Sequence, residues 1–392
     1  MDRDIKILCL MPKYLYGDIA RGLSNEYNAI YKTLSKKFKN VTFFNTFNKN
    51  INIYDLNINL VNLVENLMPD IIFTSLTSYE IYLETLKIFK KISGALIINW
   101  SSDDSWRYNQ HTKLIASAFD ILITTYKHAH ENNLKLGKHS ILSNWGCPDH
   151  WIKNSLSSQK CNTDVLFIGS AYMGRKKIIN KLKRKGINIK CFGYGWEKKP
   201  ISDDEISEYI NQAKLTLNFS KSRGFMKQTK ARIFEITGSG GFCLTEESNE
   251  ISDFFIPNKE IVVFKNFNEL LSKIKYFLKN NSERDKIAAQ GNDRCQKSYT
   301  TSKVIEKVII GLEKKKINKP ITLTATTHIG KKKIPLILLF YKNISIFLFK
   351  IFFDKNKSIK ASRRILFEIE WRLRKEKTYT SDGWCSNLFN FF

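Results

Sequence analysis

What this 392-residue chain lacks narrows its chemistry before any motif is considered. Its seven cysteines, Cys9, Cys147, Cys161, Cys191, Cys243, Cys295 and Cys385, contain no C-x-x-C pair. They read as reduced, mostly buried thiols of a cytosolic protein rather than a disulfide framework. The six histidines, His111, His128, His130, His139, His150 and His328, are scattered. No zinc spacing, Ser/His/Asp set or Cys/His set can be drawn from them, and no metal site is expected. Proline is scarce, at seven residues, and no internal repeat is present. Acidic residues number 37 against 64 Lys and Arg, leaving a net charge of +27. No zinc finger or RRM signature accompanies that excess, so no nucleic-acid partner is expected. The start, MDRDIKILCLMPKYLYG, has an apolar core too short for a signal peptide and reads as a first β-strand.

What is present is the pattern of two α/β domains. A chain this long exceeds one ordinary core, and an apolar fraction of 43% supplies enough side chains for two. Over residues 1–150, strands are expected at Ile5–Leu10, Val41–Phe44, Ile71–Thr74, Ala95–Trp100, Ile121–Thr124 and Ser140–Leu142, with helical stretches such as Asn25–Lys37 and Ile81–Ile92 between them. A polar segment, Asp149 to Asp164, interrupts the alternation. A second series over 160–312 then gives strands Val165–Ile168, Ile189–Phe192, Leu215–Phe219, Phe242–Thr245 and Ile261–Phe264. Alternation at this spacing implies parallel sheets covered by helices on both faces, and ligands of such sheets bind at the strand C-termini.

The last stretch, 313–392, differs in kind. It holds 18 Lys and Arg against six Asp and Glu, and the run KKKIPLILLFYKNISIFLFKIFFDKNK sets apolar residues between lysine clusters. Lys342 and Lys350 argue against a membrane span, since each would cost roughly 2.5–3.5 kcal/mol near the bilayer centre. Two readings stay open: an interfacial helix on an anionic membrane surface, or an apolar helix packed on the domains.

Five segments carry residues suited to chemistry. In FIGSAYMGRKKIINKL, from Phe167, a strand is followed by Gly169 and Gly174 and by a helix opening on Arg175, Lys176 and Lys177. Glycine lets a backbone approach a diphosphate, and a helix N-terminus with basic side chains complements its charge. The spacing is neither a P-loop nor a dinucleotide fingerprint, and an ordinary strand–helix turn with a solvated basic face is the alternative. In QTKARIFEITGSGGFCLTE, from Gln228, Arg232 and Glu235 share one face of a short helix, before a small-residue run that includes Gly240. Glu235 would accept two ribose hydroxyls and Arg232 would meet the diphosphate or sugar, with a surface ion pair as the plainer alternative. CFGYGW, from Cys191, offers Tyr194 in a base-stacking loop or a tight turn. NWSSDDSWRY, from Asn99, sets Asp103 and Asp104 after a strand end, where Asp104 would orient an acceptor hydroxyl or the pair would cap a helix. PKYLYGDIARGLSNEYNAIY, from Pro12, places Arg21 and Glu26 on the loop after the first strand.

Together, KYLYGDIARGLSNEY, NWSSDDSWRY, FDILITTYKHA, DVLFIGSAYMGRKK, LTLNFSKS, KARIFEITGSGGFCLTE, EIVVFKNFNELLSKIKYFL and RDKIAAQGNDR resemble the CgeB-like (spore-maturation-protein type) glycosyltransferases, with a group 1 glycosyltransferase domain in the second half. The resemblance covers about Asp4 to Gly311. It implies a GT-B fold, two Rossmann-like doubly wound domains facing a cleft, and transfer of a sugar from a nucleotide-sugar donor; the basic, apolar C-terminal stretch adds the expectation of a glycan or lipid-linked acceptor, in bacterial surface glycan biosynthesis at the inner face of the plasma membrane. Gly169, Arg175, Tyr194, Arg232, Glu235 and Gly240 would line the donor and Asp104 would serve the acceptor. No cofactor and no essential metal is implied. Glu235 matches the second glutamate of the E-x7-E motif of retaining enzymes, but Lys227 stands where the first would be, so that contact does not carry over. Non-catalytic binding of a nucleotide sugar, or its epimerisation, is also compatible with these residues.

Overall fold

The computed structural model describes residues 4–48, 50–172, 174–196, 201–221, 227–314, 329–330 and 334–389. Of the stretch expected as a tail, 315–328, 331–333 and 390–392 lie outside the described residues. The chain divides into two compact units, residues 1–13, 34–142 and 311–392 in the first, and 14–33 and 143–310 in the second.

In the first unit the strands are β1 (Lys6–Met11), β2 (Asn40–Asn45), β3 (Ile71–Thr74), β4 (Leu96–Ser101), β5 (Ile121–Thr124) and β6 (His139–Leu142). They pair in parallel in the order β2-β1-β3-β4-β5-β6. Counting helices of eight residues or more, α1 (Ile53–Leu67), α2 (Leu83–Ser93) and α3 (Lys127–Lys135) alternate with them. β3 is buried along its whole length, as expected of a strand covered on both faces. α1 starts where the Asn52 side chain accepts from the Asp55 N–H at 2.9 Å, and it buries Ile53, Leu56, Leu60 and Val64 along one stripe.

The second unit repeats the plan with β7 (Thr163–Ile168), α4 (Arg175–Arg184), β8 (Ile189–Phe192), α5 (Asp203–Asn211), β9 (Ala213–Asn218), α6 (Ala231–Gly238), β10 (Cys243–Glu246), β11 (Val262–Phe264), α7 (Phe267–Lys279) and α8 (Asn281–Ser298). Its parallel order is β11-β10-β9-β7-β8. The chain therefore runs outward from β7 to β8 and then crosses to β9 on the other side. That reversal opens a crevice beyond the C-terminal ends of β7 and β9, the position at which doubly wound sheets take ligands. All eleven expected strands are present among the described residues, within one or two residues at most ends.

Two departures from the sequence boundaries stand out. Residues 14–33, from the loop after β1, group with the second unit rather than the first. Thr33 donates to Thr301 there at 3.0 Å, and Asn28 to Asp203 at 2.5 Å. The second departure is the C-terminal stretch. α9 (Thr301–Lys314) carries the chain back to the first unit, where α10 (Leu336–Lys350) and α11 (Lys355–Arg374) follow. Leu338, Leu366, Tyr379, Cys385, Leu388 and Phe389 are buried in the same cluster as Leu8, Leu56, Leu86 and Ile97. The Tyr379 hydroxyl donates to the Gln110 carbonyl, and fully buried Glu370 accepts the N–H groups of Trp384 at 2.5 Å and Cys385 at 2.9 Å. Of the two readings left open for this stretch, packing on a domain is the one these contacts show.

Candidate functional site

The crevice of the second sheet is built by two loops that lock together. Gly169 donates its N–H to the Phe192 carbonyl at 2.9 Å, and Ala171 to the Tyr194 carbonyl at 2.9 Å. The Trp196 indole N–H donates to the Gly169 carbonyl at 2.7 Å. The contact is tight because residue 193 has no side chain: a Cβ there would sit 2.7 Å from the Gly169 carbonyl oxygen, at a φ of +115°. Two strand ends are thus fixed against each other before any ligand arrives.

Arg175 opens α4 beside this lock. Its Nη1 donates to the Ser170 carbonyl and its Nη2 to the Phe219 carbonyl, each at 3.4 Å, so the guanidinium spans the ends of β7 and β9. Both contacts are long, and the buried Nε has no hydrogen-bond partner. No carboxylate pairs with Arg175 among the described residues; its close neighbours include the rings of Tyr172, 4.9 Å away, and Phe167, 5.9 Å away. Burial pushes its pKa down, and Arg232 adds to that, while Tyr172 and Glu246 oppose it. Arg175, Lys176 and Lys177 all stand in the first turn of α4, which holds no acidic residue. Cations at a helix N-terminus oppose the helix dipole, so an anion bound there would relieve both effects.

Arg232 and Glu235 lie in the first two turns of α6, with Arg232 Nη1 2.7 Å from Glu235 Oε2. Glu235 is 5% exposed, so the surface ion pair considered from sequence is in fact mostly buried. Burial raises the Glu235 pKa, Asp203 raises it further, and Arg232 lowers it. Tyr194, at the end of β8, is exposed, and the Arg21 guanidinium stacks 4.0 Å over its ring.

Of the expected donor residues, Gly169, Arg175 and Tyr194 come together on the interlocked loops, Arg232 lies within electrostatic reach of Arg175, and Glu235 is paired with Arg232. Gly240 does not. α6 runs antiparallel to the strands, so its N-terminus stands at their C-terminal edge and its C-terminus at the opposite edge. Gly240 follows that C-terminus, and a Cβ there would meet the Asn154 carbonyl oxygen at 2.7 Å and Asn211 Nδ2 at 2.8 Å. It closes a packed turn, with φ at +76°, at the wrong end of the sheet to cradle a ligand.

Asp104, in the first unit, is 1% exposed. Its two carboxylate oxygens accept from the Thr112 hydroxyl at 2.5 Å and the Thr124 hydroxyl at 2.7 Å, which leaves no face open to an acceptor sugar. The geometry makes it an anchor for the end of β4. Burial raises its pKa to about 6, against the two threonine hydrogen bonds. The folded chain holds that proton more tightly than the unfolded chain, so the group favours folding at low pH and the contribution is lost as pH rises through about 6. Asp104→Asn is expected to flatten the fall in Tm between about pH 4 and pH 7 while donor turnover stays within about threefold. A hundredfold loss of turnover at unchanged Tm would return Asp104 to the acceptor.

Residues 175–309 match the glycosyl transferase-like family model. The matched stretch lies within the second unit. No curated protein matches the chain. Among solved structures, HepE of Anabaena in complex with UDP and glucose superposes with a TM-score of 0.55 at 12% identity, over 79% of this chain and all of that one. Sucrose-phosphate synthase of Thermosynechococcus elongatus gives 0.54 at 10% identity, over 79% and 99%. The lipopolysaccharide outer core galactosyltransferase WaaB gives 0.51 at 10%, over 79% and 99%. At such identities the likeness is one of fold, and the fold is GT-B.

Two further residues border this crevice. Glu246, 7% exposed at the end of β10, accepts the Ser220 N–H at 3.1 Å and the Lys221 N–H at 3.3 Å, holding the loop after β9 beside Arg175. Its signal in the sequence was an acidic residue closing an apolar strand. Arg21 was visible only as a basic residue on a glycine-flanked loop, because nothing local says which unit that loop will join. Among the described residues, no three His, Cys, Asp or Glu side chains form a metal-holding group.

Proposed function

We propose that the chain is a glycosyltransferase that moves a hexosyl group from a nucleotide-sugar donor to a glycan or lipid-linked acceptor at the inner face of a membrane, in surface glycan synthesis. The observation that carries this reading is Arg175, a half-buried guanidinium with an unpartnered, buried Nε and no ion-pair partner among the described residues, at the strand crossover of a domain matching the glycosyl transferase-like model.

In this reading the donor diphosphate lies over the Gly169 loop and the N-terminus of α4. As the bond from the anomeric carbon to the diphosphate oxygen breaks, negative charge grows on the leaving group. Arg175, Arg232 and the α4 amides stabilise it, so that protein cations do the work without an essential metal. The acceptor oxygen forms the new bond to the anomeric carbon and passes its proton to an oxygen of the departing diphosphate. Glu235, charged, accepts from the ribose hydroxyls, and the nucleobase stacks on Tyr194 in the place Arg21 now covers.

Glu235→Gln is expected to weaken binding of UDP and UDP-sugars by tenfold or more in calorimetry, because a charged acceptor is lost while shape is kept. Wild-type affinity should also fall with acidification, at a pH above the ordinary glutamate range, since protonation of Glu235 removes the acceptor. Unchanged affinity in the variant would remove Glu235 from the ribose. Lys227, whose Nζ lies 3.9 Å from Glu247 Oε2, stands where retaining enzymes carry a glutamate, and it favours one second reading, a donor-binding protein without transfer. That protein would bind nucleotide sugars and release no nucleoside diphosphate.

A further inference from the structure

α10 is apolar on two faces, and among the described residues packing covers only one of them. On the inner face Leu338 is buried, Ile346 packs on the core of the first unit, and the Tyr341 hydroxyl donates to the Ser362 carbonyl at 2.9 Å. Lys342 also turns inward: its Nζ donates to the Leu388 carbonyl at 2.7 Å and lies 5.6 Å from the Phe389 ring centre. One of the two charges that argued from sequence against a membrane span is therefore spent inside the unit. On the outer face Ile337, Phe340, Phe347, Ile351 and Phe352 are each 65–77% exposed, at helical spacing. No charged residue interrupts that face from Leu336 to Phe349.

Beyond it the chain turns basic. Residues 342–364 carry seven Lys and Arg and one acid, Asp354, which caps α11 by accepting the Lys357 N–H at 2.9 Å. Lys350, Lys355, Lys357 and Lys360 are exposed. A groove of about 570 Å³ between α10 and α11, lined by Phe349, Ile365, Ile369 and Leu373 with Arg364 and Arg372 beside Glu368, adjoins this surface. Contiguous exposed apolar side chains on this scale mark an interaction surface.

We propose that the outer face of α10 and the α10–α11 turn seat the chain on an anionic lipid bilayer, with α10 lying in the plane of the interface. Charge complementarity decides the occupant. A second copy docked symmetrically would set these lysines against their own counterparts, whereas anionic headgroups neutralise them. The depth follows from length: no described helix is long and apolar enough to cross, and the 15 residues of α10 span about 22 Å, short of a hydrocarbon core of about 30 Å. Phenylalanine and isoleucine enter the acyl boundary while lysines remain among the phosphates. The inference extends the membrane-bound acceptor of the proposed function to the surface that reaches it.

The test uses the full chain in flotation with phosphatidylcholine vesicles, with and without 30% phosphatidylglycerol on the order of plasma-membrane charge. Binding is expected only with the anionic lipid. Phe347→Ser with Phe352→Ser, both at exposed positions, should lower it tenfold or more with Tm unchanged, and Lys350→Ala, Lys355→Ala and Lys360→Ala together should lower it comparably and remove its salt dependence. Equal binding to both vesicles overturns the charge argument. No binding to either, with a dimer in solution that the phenylalanine substitutions dissociate, overturns the proposal in favour of a second copy. Nucleoside diphosphate release is measured in the same samples without vesicles. Flotation by a chain inert toward every nucleotide sugar would sink the glycosyltransferase reading and leave docking intact; turnover without flotation would do the reverse.

Discussion

Replacing Arg175 by lysine is expected to lower kcat/KM for nucleotide-sugar turnover by about a hundredfold or more, the scale seen when one preorganised donor to a developing anion is removed. Lysine keeps the charge, so the size of the loss separates geometry from charge. The arginine fork reaches the Ser170 and Phe219 carbonyls together and still has its Nε unpartnered. A single ammonium cannot span the ends of two strands and also address two phosphate oxygens. Tm should shift little, because the two carbonyl contacts, at 3.4 Å, are long. Release of nucleoside diphosphate measures the first quantity and calorimetric unfolding the second. A loss under about threefold would move the diphosphate away from this loop.

Ending the chain after Lys316 is expected to do more damage than any single substitution. Six buried side chains, Leu338, Leu366, Tyr379, Cys385, Leu388 and Phe389, would leave the core of the first unit. At roughly 1.5–3 kcal/mol for each large apolar side chain, their loss is comparable with the 5–15 kcal/mol by which a typical domain is stable. Glu84 would lose the Ser381 N–H, 3.2 Å from it, and Gln110 the Tyr379 hydroxyl. The shortened chain should lose near-UV circular dichroism, bind a hydrophobic dye and aggregate. A truncated protein that unfolds cooperatively at the wild-type Tm would show the C-terminal stretch to be an appendage after all. For the same reason, lipid binding is tested by substitutions on the outer face of α10 and not by deletion.

Strands were the most legible part of the sequence. β3 and β5 read as short runs of Ile, Leu, Phe and Thr because parallel strands covered on both faces must be apolar throughout, and that constraint is local. The Gly169–Arg175 loop was legible for a similar reason, since a strand end, a glycine and a basic helix start lie within a few residues. Gly240 was misread because its position depends on the direction of α6 against the sheet: the same glycine run at the other end of the helix would have faced the crevice. The burial of Asp104 was not legible because it depends on Thr112 and Thr124, eight and twenty residues away, which donate to its two oxygens.

By itself the sequence determined the two parallel α/β series, the two strand-end loops that carry Arg175 and Tyr194, and a C-terminal stretch both apolar and basic. Each of these follows from residue spacing within a single element or turn. Only the tertiary structure decided that residues 14–33 join the second unit, that the C-terminal stretch completes the core of the first, and that Lys342 points inward while the phenylalanines of α10 point out. Those outcomes depend on which of several apolar faces finds a partner, and hydrophobic burial, being non-directional, specifies no partner until the rest of the chain has folded.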